Sequence, residues 1–394
     1  MLIIDEILTR GVTNITVKEH LESRLKKGEK LRVKLGIDPT GSDVHIGHGV
    51  PLWKLRNFQD LGHQIVLIIG DFTSQIGDAS DKTAERQMLN REQIEMYMKD
   101  YEKKISRILD MSKVELHYNS EWLAKLDFND VATLAKEFSV AQMLDRENFS
   151  KRYTEGKRIG LQEFLYPLMQ GYDSVAIRAD LEVGGNDQYF NLMAGRVLQK
   201  AFEQEPQDVM TFELLPGLDG RKMSKTYGNT INIDDEPREQ FGKIMSIPDD
   251  FIIKYFIGFT QLPSNEIQEI EAQLKKGQNP RDAKMRLGYE IVKLYNGEKA
   301  AQEAQEAFIQ QFSEGNKPED IPEFVSPENE SDLAELLVKA GLESSKGNAR
   351  RMIEQGAVKI DDQKVNSIVT IKIKLKPGMI IQVGKRKFIK IVLK

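Results

Sequence analysis

The sequence predicts an α/β fold opening with a parallel sheet, continuing through an all-helical stretch and closing with a small α+β unit. Three observations carry this. Strand-like and helix-like segments alternate over residues 1–230. Residues 234–312 hold only helical signals, such as "PRDAKMRLGYEIVKLY". The last segment, 332–394, begins with helical patterns and ends in short alternating strands. At 394 residues the chain is too long for one compact core, so several domains are expected.

The elements follow in order. "LRVKLGID" (31–38) alternates and runs into Asp-Pro, a strand followed by a turn. "GVPLWKLRNFQDLG" (49–62) places Leu52, Leu55, Phe58 and Leu61 at helical spacing and stops at Gly62. "HQIVLIIGD" then reads as a strand buried on both faces, completing β–turn–α–β. The helical, charge-rich stretch from 80 to 160 is interrupted by a strand at "VELHYNS" (114–120). "ADLEVGGNDQ" (179–188) and "MTFELLPG" (210–217) each look like a strand entering a glycine-containing loop. "SEGNKPEDIPEFVSPENES" (313–331) is acidic, carries three prolines and lacks apolar periodicity, so it reads as a linker. "DLAELLVKAGL", "KGNARRMIEQG" and strands ending "KRKFIKIVLK" complete the chain. The expected domains are thus 1–230, 231–315, a linker at 316–331, and 332–394.

Composition excludes several classes. With 40% hydrophobic and 30% charged residues the chain is an ordinary globular protein. No stretch approaches the ~20 apolar residues that span a bilayer. The N-terminus, "MLIIDEILTR", does not resemble a signal peptide. Absence of cysteine removes disulfides, thiolate chemistry and cysteine-ligated zinc. A cytoplasmic enzyme is the default expectation. Charge is uneven: residues 332–394 hold 14 Lys/Arg against 6 Asp/Glu, a net of +8, which leaves −13 for residues 1–331. A basic end on an acidic body suits a polyanionic partner, although a lysine-rich strand face is as often merely solvated.

"GIDPTGSDVHIGHG" (36–49) sets His45 and His48 three apart where the first strand hands over to the first helix. A metal needs further ligands, and His20, His63 and His117 are scattered. Proton transfer would want a carboxylate to orient the ring, and helix capping alone is a third reading. Position favours a fourth. A helix N-terminus at the carboxyl end of the first strand of a Rossmann-like, doubly wound sheet attracts anions. There the imidazoles would donate to phosphate oxygens, Thr40 would add a hydroxyl, and Gly47 would let a flat base approach the backbone.

"GLDGRKMSKTYGN" (217–229) is a basic, glycine-rich loop with Lys222 and Lys225 three apart. Together with "HIGH" upstream it resembles the paired signatures of class I aminoacyl-tRNA synthetases. "GDASDKTAER" (77–86), "YPLMQGYD" (166–173), "VGGNDQ" (183–188) and the basic C-terminal segment extend the resemblance to bacterial tyrosyl-tRNA synthetases over essentially the whole chain.

Tyr166, Gln170 and Asp173 stand at i, i+4 and i+7, so they share one helix face. On spacing alone that stripe could be a solvent face. The resemblance implies that Tyr166 and Gln170, with Asp78, hold the ammonium of tyrosine, that Asp173 takes its phenolic hydroxyl, and that Gln188 orients it. It further implies that Thr40, His45, Lys82, Arg86, Lys222 and Lys225 meet the phosphates of ATP, and that Asp38, Gly47, His48, Gly185 and Asp187 frame adenosine. Mg²⁺ would arrive with ATP and have no dedicated protein cage. A homodimer with its interface near 120–160 is implied, as is tRNA(Tyr) held by the helical domain and the basic unit. Arg350, Arg351, Lys359, Lys385 and Arg386 are the candidate tRNA contacts. Departures from one branch of the family occur at Lys34, where that branch has a second tyrosine, and at Leu35 and Pro51, where it has polar groups. Thr226 replaces the usual final serine but keeps a hydroxyl. Pro51 suits the first turn of a helix. A tryptophanyl enzyme, or an RNA-binding protein that has lost aminoacylation, is the rival reading.

Overall fold

Five successive buried residues in "QIVLII" make Gln64–Ile69 a strand covered on both faces. A computed structural model of the chain describes residues 4–39, 44–78, 91–224, 227–313, 321–343, 345–365, 372–384 and 387–393. It divides into two compact units, Met1–Gln305 and Glu306–Lys394.

The first unit is built on six strands: β1 (Val12–Thr16), β2 (Arg32–Ile37), β3 (Gln64–Ile69), β4 (Val114–Tyr118), β5 (Leu181–Gly185) and β6 (Asp208–Phe212). Their order in the sheet is β1-β6-β5-β2-β3-β4. All neighbours run parallel except β1, which pairs antiparallel with β6. The chain goes one way from β2 to β4 and then restarts on the other side at β5. The β2/β5 boundary is therefore the switch point, where ligands of such sheets bind beyond the strand C-termini. The expected parallel sheet thus carries an antiparallel edge. The half-buried "VTNIT" of β1 has no alternation strong enough to announce it.

Helices fill the connections: α1 (Ile4–Thr9), α2 (Lys18–Lys26), α3 (Ile46–Asp60), α4 (Thr73–Ile76), α5 (Arg91–Ile105), α6 (Ser120–Leu123), α7 (Phe128–Ala135), α8 (Val140–Leu144), α9 (Glu147–Thr154), α10 (Leu161–Ile177) and α11 (Tyr189–Ala201). Strand alternation sorts the two faces of the sheet. Ile65 and Leu67 join the core with Leu52, Leu55 and Phe58 of α3. Val66 and Ile68 face the other way, against Ile177 of α10. Gly171 lets α10 and α11 cross closely, since a Cβ there would lie 2.9 Å from the Ala194 carbonyl carbon.

Helix α3 starts at Ile46, three residues before the expected start. Pro51 therefore lies in the second turn and not the first, where it cannot donate to the Gly47 carbonyl. Beyond residue 230 come α12 (Pro237–Met245), α13 (Ile252–Phe259), α14 (Ser264–Lys275), α15 (Pro280–Asn296) and α16 (Glu298–Ser313). Up to Gln305 they belong to the first unit and do not form the separate helical domain expected at 231–315; α16 runs past that boundary. Phe256, Leu287 and Ile291 share one continuous core with Leu52 and Leu55, and Tyr295 accepts from Trp53 Nε1 at 3.3 Å. An apolar helix face does not reveal in sequence which neighbour it will bury against.

The second unit holds β7 (Glu323–Ser326), β8 (Glu330–Asp332), α17 (Leu333–Lys339), α18 (Lys346–Glu354), β9 (Val358–Ile360), β10 (Gln363–Lys364), β11 (Lys372–Lys374), β12 (Ile380–Val383) and β13 (Lys387–Leu393). The sheet order is β10-β9-β12-β13-β7, with β11 and β8 a separate pair. Leu333, Leu337, Val358, Ile381 and Ile391 form its own core. The linker expected at 316–331 is corrected over its described part. Phe324 of β7 pairs in parallel with Ile391 of β13, the last strand, and Glu330 of β8 pairs with Lys374. Partners so distant in sequence leave no local trace amid prolines and acids.

Candidate active site

Three elements converge at the switch point: the C-terminal end of β2, the first turn of α3 and the inward face of α10. His45 is the N-cap of α3, in extended backbone conformation. Its imidazole stacks on that of His48, centroids 3.8 Å apart and 19° from parallel. The His45 N–H donates to His48 Nδ1 at 3.4 Å, so a neutral His48 carries its proton on Nε2. Burial, then His48 and the Lys222 ammonium, push His45 down to about 2; burial and Lys222 also lower His48, whose ring keeps an edge in solvent. His45 Nδ1 is buried and has no hydrogen-bond partner among the described residues. Both rings are thus uncharged donors at a helix N-terminus beside a cation, an arrangement suited to phosphate oxygens.

Backbone pairing brings the two distant signatures together. The Ile46 N–H donates to the Ile231 carbonyl at 2.8 Å, and the Ile233 N–H to Val44 at 3.0 Å. Lys222, in the basic loop, donates to Asp187 Oδ2 at 3.3 Å, just past the end of β5. At Gly185, the last residue of β5, a Cβ would sit 2.5 Å from Asp187 Oδ1 and would displace that carboxylate. Gly47 was expected to make space for a base, but the first group a Cβ there would strike is the His45 ring, 2.9 Å away at Nδ1.

The helix α10 contributes the other half. Tyr166 donates its hydroxyl to Asp38 Oδ2 at 3.0 Å, and Thr73 donates to Asp38 Oδ1 at 2.8 Å. Burial, with Asp38 and Asp78 nearby, raises the Tyr166 phenol well above its usual range, so it stays a donor. Gln188 Nε2 donates to Asp78 Oδ2 at 2.7 Å and is steadied by Asn191 Nδ2 at 3.0 Å. Asp173 is 3% exposed and accepts from Trp122 Nε1 at 2.7 Å and from Asn119 Nδ2 at 3.4 Å. Burial pushes its carboxyl up to about 7, against the lowering effect of Lys34. Gln170 Nε2 reaches Glu182 at 3.3 Å.

The structure therefore gathers Asp38, His45, Gly47, His48, Asp78, Tyr166, Gln170, Asp173, Gly185, Asp187, Gln188 and Lys222 around one crevice. Thr40, Lys82, Arg86, Lys225, Lys385 and Arg386 lie outside the described residues. Arg350 and Arg351 are exposed on α18, and Lys359 is half-buried on β9 of the second unit. Sequence reasoning missed Thr73, Asn119, Trp122, Ser174 and Glu182, which hold the named side chains in place. Glu182 and Lys34 left a signal: Glu182 is the lone charge of β5, and Lys34 is a charge set between Val33 and Leu35 in the middle of β2. The two are cross-strand neighbours in the β2–β5 register.

The family model "tRNA synthetases class I (W and Y)" matches residues 26–313, and "Tyrosine--tRNA ligase SYY-like C-terminal domain" matches 311–391. The chain is 48% identical to the tyrosine--tRNA ligase of Carboxydothermus hydrogenoformans, over 98% of this chain and 97% of that protein. It is 47% identical to the one of Thermotoga maritima, over 98% and 96%. Among solved structures, the fold is similar to a C-terminally truncated mitochondrial tyrosyl-tRNA synthetase of Aspergillus nidulans (TM-score 0.65, 22% identity, 78% of this chain and 94% of that one). It is also similar to the Archaeoglobus fulgidus tyrosyl-tRNA synthetase complexed with L-tyrosine (TM-score 0.61, 24% identity, 77% and 99%). Two buried, neutral imidazoles at a helix N-terminus and a face of α10 that carries Tyr166, Gln170 and Asp173 accompany what these matches say of the whole sequence: the chain belongs to the class I tRNA synthetases, among their tyrosine--tRNA ligases.

Proposed function

We propose that this crevice joins tyrosine to ATP, giving tyrosyl-adenylate and pyrophosphate, and then passes tyrosine to the 3′-terminal ribose of tRNA(Tyr). The observation that carries the residue-level reading is the Tyr166–Asp38 hydrogen bond. It ties the carboxylate-lined face of α10 to the end of β2, from which the chain enters the helix of the two histidines. An amino acid held on one side then faces a polyphosphate held on the other.

In this reading the tyrosine carboxylate attacks the α-phosphate in line. It is already an anion, so no protein base is needed; the chain's task is to position the reactants and stabilise charge building on phosphate. His45 and Thr40 donate to the polyphosphate, with His48 beside them. Lys82, Arg86, Lys222 and Lys225 close over the departing pyrophosphate. Asp38, Gly47, His48, Gly185 and Asp187 frame adenosine. Tyr166, Gln170, Asp78 and Gln188 orient the amino acid, and Asp173 accepts from its phenolic hydroxyl. Mg²⁺ enters as part of the ATP substrate.

The second unit, with Arg350, Arg351, Lys359, Lys385 and Arg386, contributes backbone contacts to tRNA. A homodimer is supported by Phe128, Val140, Tyr153 and Leu161, which are 91%, 66%, 67% and 81% exposed in and beside the 120–160 segment. Among the described residues no helix is long and apolar enough to cross a membrane; we place the protein in the cytoplasm, where tRNA is charged. Tyrosine-dependent exchange of pyrophosphate into ATP tests the proposal, and tryptophan-dependent exchange would favour the rival.

A further inference from the structure

Lys34 is the largest puzzle inside the first unit. It is fully buried, in mid-strand, with its side chain toward α10 and not toward solvent. Its ammonium has three protons and three acceptors: Glu182 Oε1 at 2.9 Å, the Gln170 carbonyl at 2.9 Å and Ser174 Oγ at 2.8 Å. Ser174 in turn donates to Glu182 Oε2 at 3.0 Å, where Gln207 Nε2 also donates at 2.5 Å. Both oxygens of Glu182 are thereby occupied from within the protein.

Stability is a poor reason for such a pair, because two buried charges seldom outperform well-packed apolar side chains. Placement suggests a better one. Gln170 and Ser174 bracket the turn of α10 that carries Asp173, and Lys34 grips both. Asp173 Oδ1 is taken by the Trp122 indole, whereas Oδ2 has, among the described residues, a single 3.4 Å contact with Asn119 and so retains capacity to accept. Among the charged neighbours acting on Asp173, Lys34 favours its ionised form and Glu182 opposes it.

We infer that Lys34, through its buried positive charge and its hold on the Gln170–Ser174 turn, is a positioning residue that keeps the Asp173 carboxylate available to a phenolic hydroxyl and so sets the preference for tyrosine over phenylalanine. This rests on the amino-acid pocket proposed above. Lys34 touches no substrate; it acts through Asp173. Removing it while Glu182 remains leaves two carboxylates sharing a buried site, and a proton taken up on Asp173 replaces its charged acceptor with the weaker one of a neutral carboxyl.

The test is pyrophosphate exchange by the full chain with tyrosine and with phenylalanine, in wild type, Lys34→Met, Glu182→Gln and the double variant. Lys34→Met should raise KM for tyrosine and lower the tyrosine preference by about tenfold each, the effect of moving Asp173 by about one pKa unit. KM for ATP should stay within about twofold, which a general structural defect would not respect. The preference should rank Glu182→Gln at or above wild type, the double variant lower, and Lys34→Met last. Should Lys34→Met not fold, the comparison of Glu182→Gln with the double variant still isolates Lys34, since the double leaves no unpaired charge. Equal preference in those two proteins, or an unchanged preference in folded Lys34→Met, overturns the inference alone. Wild type without tyrosine-dependent exchange overturns the pocket itself.

Discussion

His45 and His48 stack face to face at the entrance of α3, each ring held neutral by its surroundings and by the neighbouring Lys222 ammonium. A neutral ring that donates a hydrogen bond helps most where negative charge develops. His45→Ala should therefore slow adenylate formation by about a hundredfold, the usual cost of one lost oxyanion donor. Tyrosine affinity, read by equilibrium titration, should change less than about threefold. An equal loss in both would contradict the phosphate role.

Asp173 gives a pH signature. Its folded pKa, about 7, lies above the ordinary 3.8, because burial outweighs Lys34, Trp122 and Asn119, while Glu182 adds to the rise; Tyr166, with Asp38 and Asp78 beyond it, is the other acid nearby. Between those values the native state keeps a proton that the unfolded chain has lost, so Asp173 subtracts stability as pH rises through that window. The same rise supplies the ionised acceptor. In the free protein kcat/KM for tyrosine should climb through about pH 7 and flatten above it. Asp173→Asn should abolish that limb, gain stability at pH 8, and reduce preference over phenylalanine about ten- to hundredfold, the worth of a hydrogen bond to a buried charge. A limb that persists in Asp173→Asn would assign it to another group.

The helical segment before α10 exposes large apolar side chains, and an interface there should be sensitive to charge. Phe128→Asp combined with Leu161→Asp should shift sedimentation from dimer to monomer at micromolar protein. Unchanged sedimentation would move the interface elsewhere.

Truncation separates activation from transfer. Because β7 and β8 belong to the second unit, the cut must precede residue 321; removing 314–394 leaves no orphaned strand. The shortened chain should retain exchange within about threefold and lose most tRNA charging. Loss of both would make the second unit structural.

Much of this was legible in the sequence because local patterns carried it. The apolar runs of β2 and β3, the Gly62 stop after α3, and the spacing of Tyr166, Gln170 and Asp173 each announce their element within a few residues. What was hidden depends on distant partners. Strand β1 gains its place from β6, β7 from β13, and α13 and α15 from the face of α3 that they meet. The candidate site follows the same rule: the residues proposed to meet a ligand belong to recognisable motifs, whereas Trp122, Asn119 and Glu182, which hold several of them, become visible only when the chain is folded.

Pyrophosphate exchange into ATP, measured with tyrosine, phenylalanine and tryptophan in turn, tests the central claim most directly. The crevice predicts rapid exchange with tyrosine and little with the other two. Absence of tyrosine-dependent exchange from folded, full-length protein would contradict it.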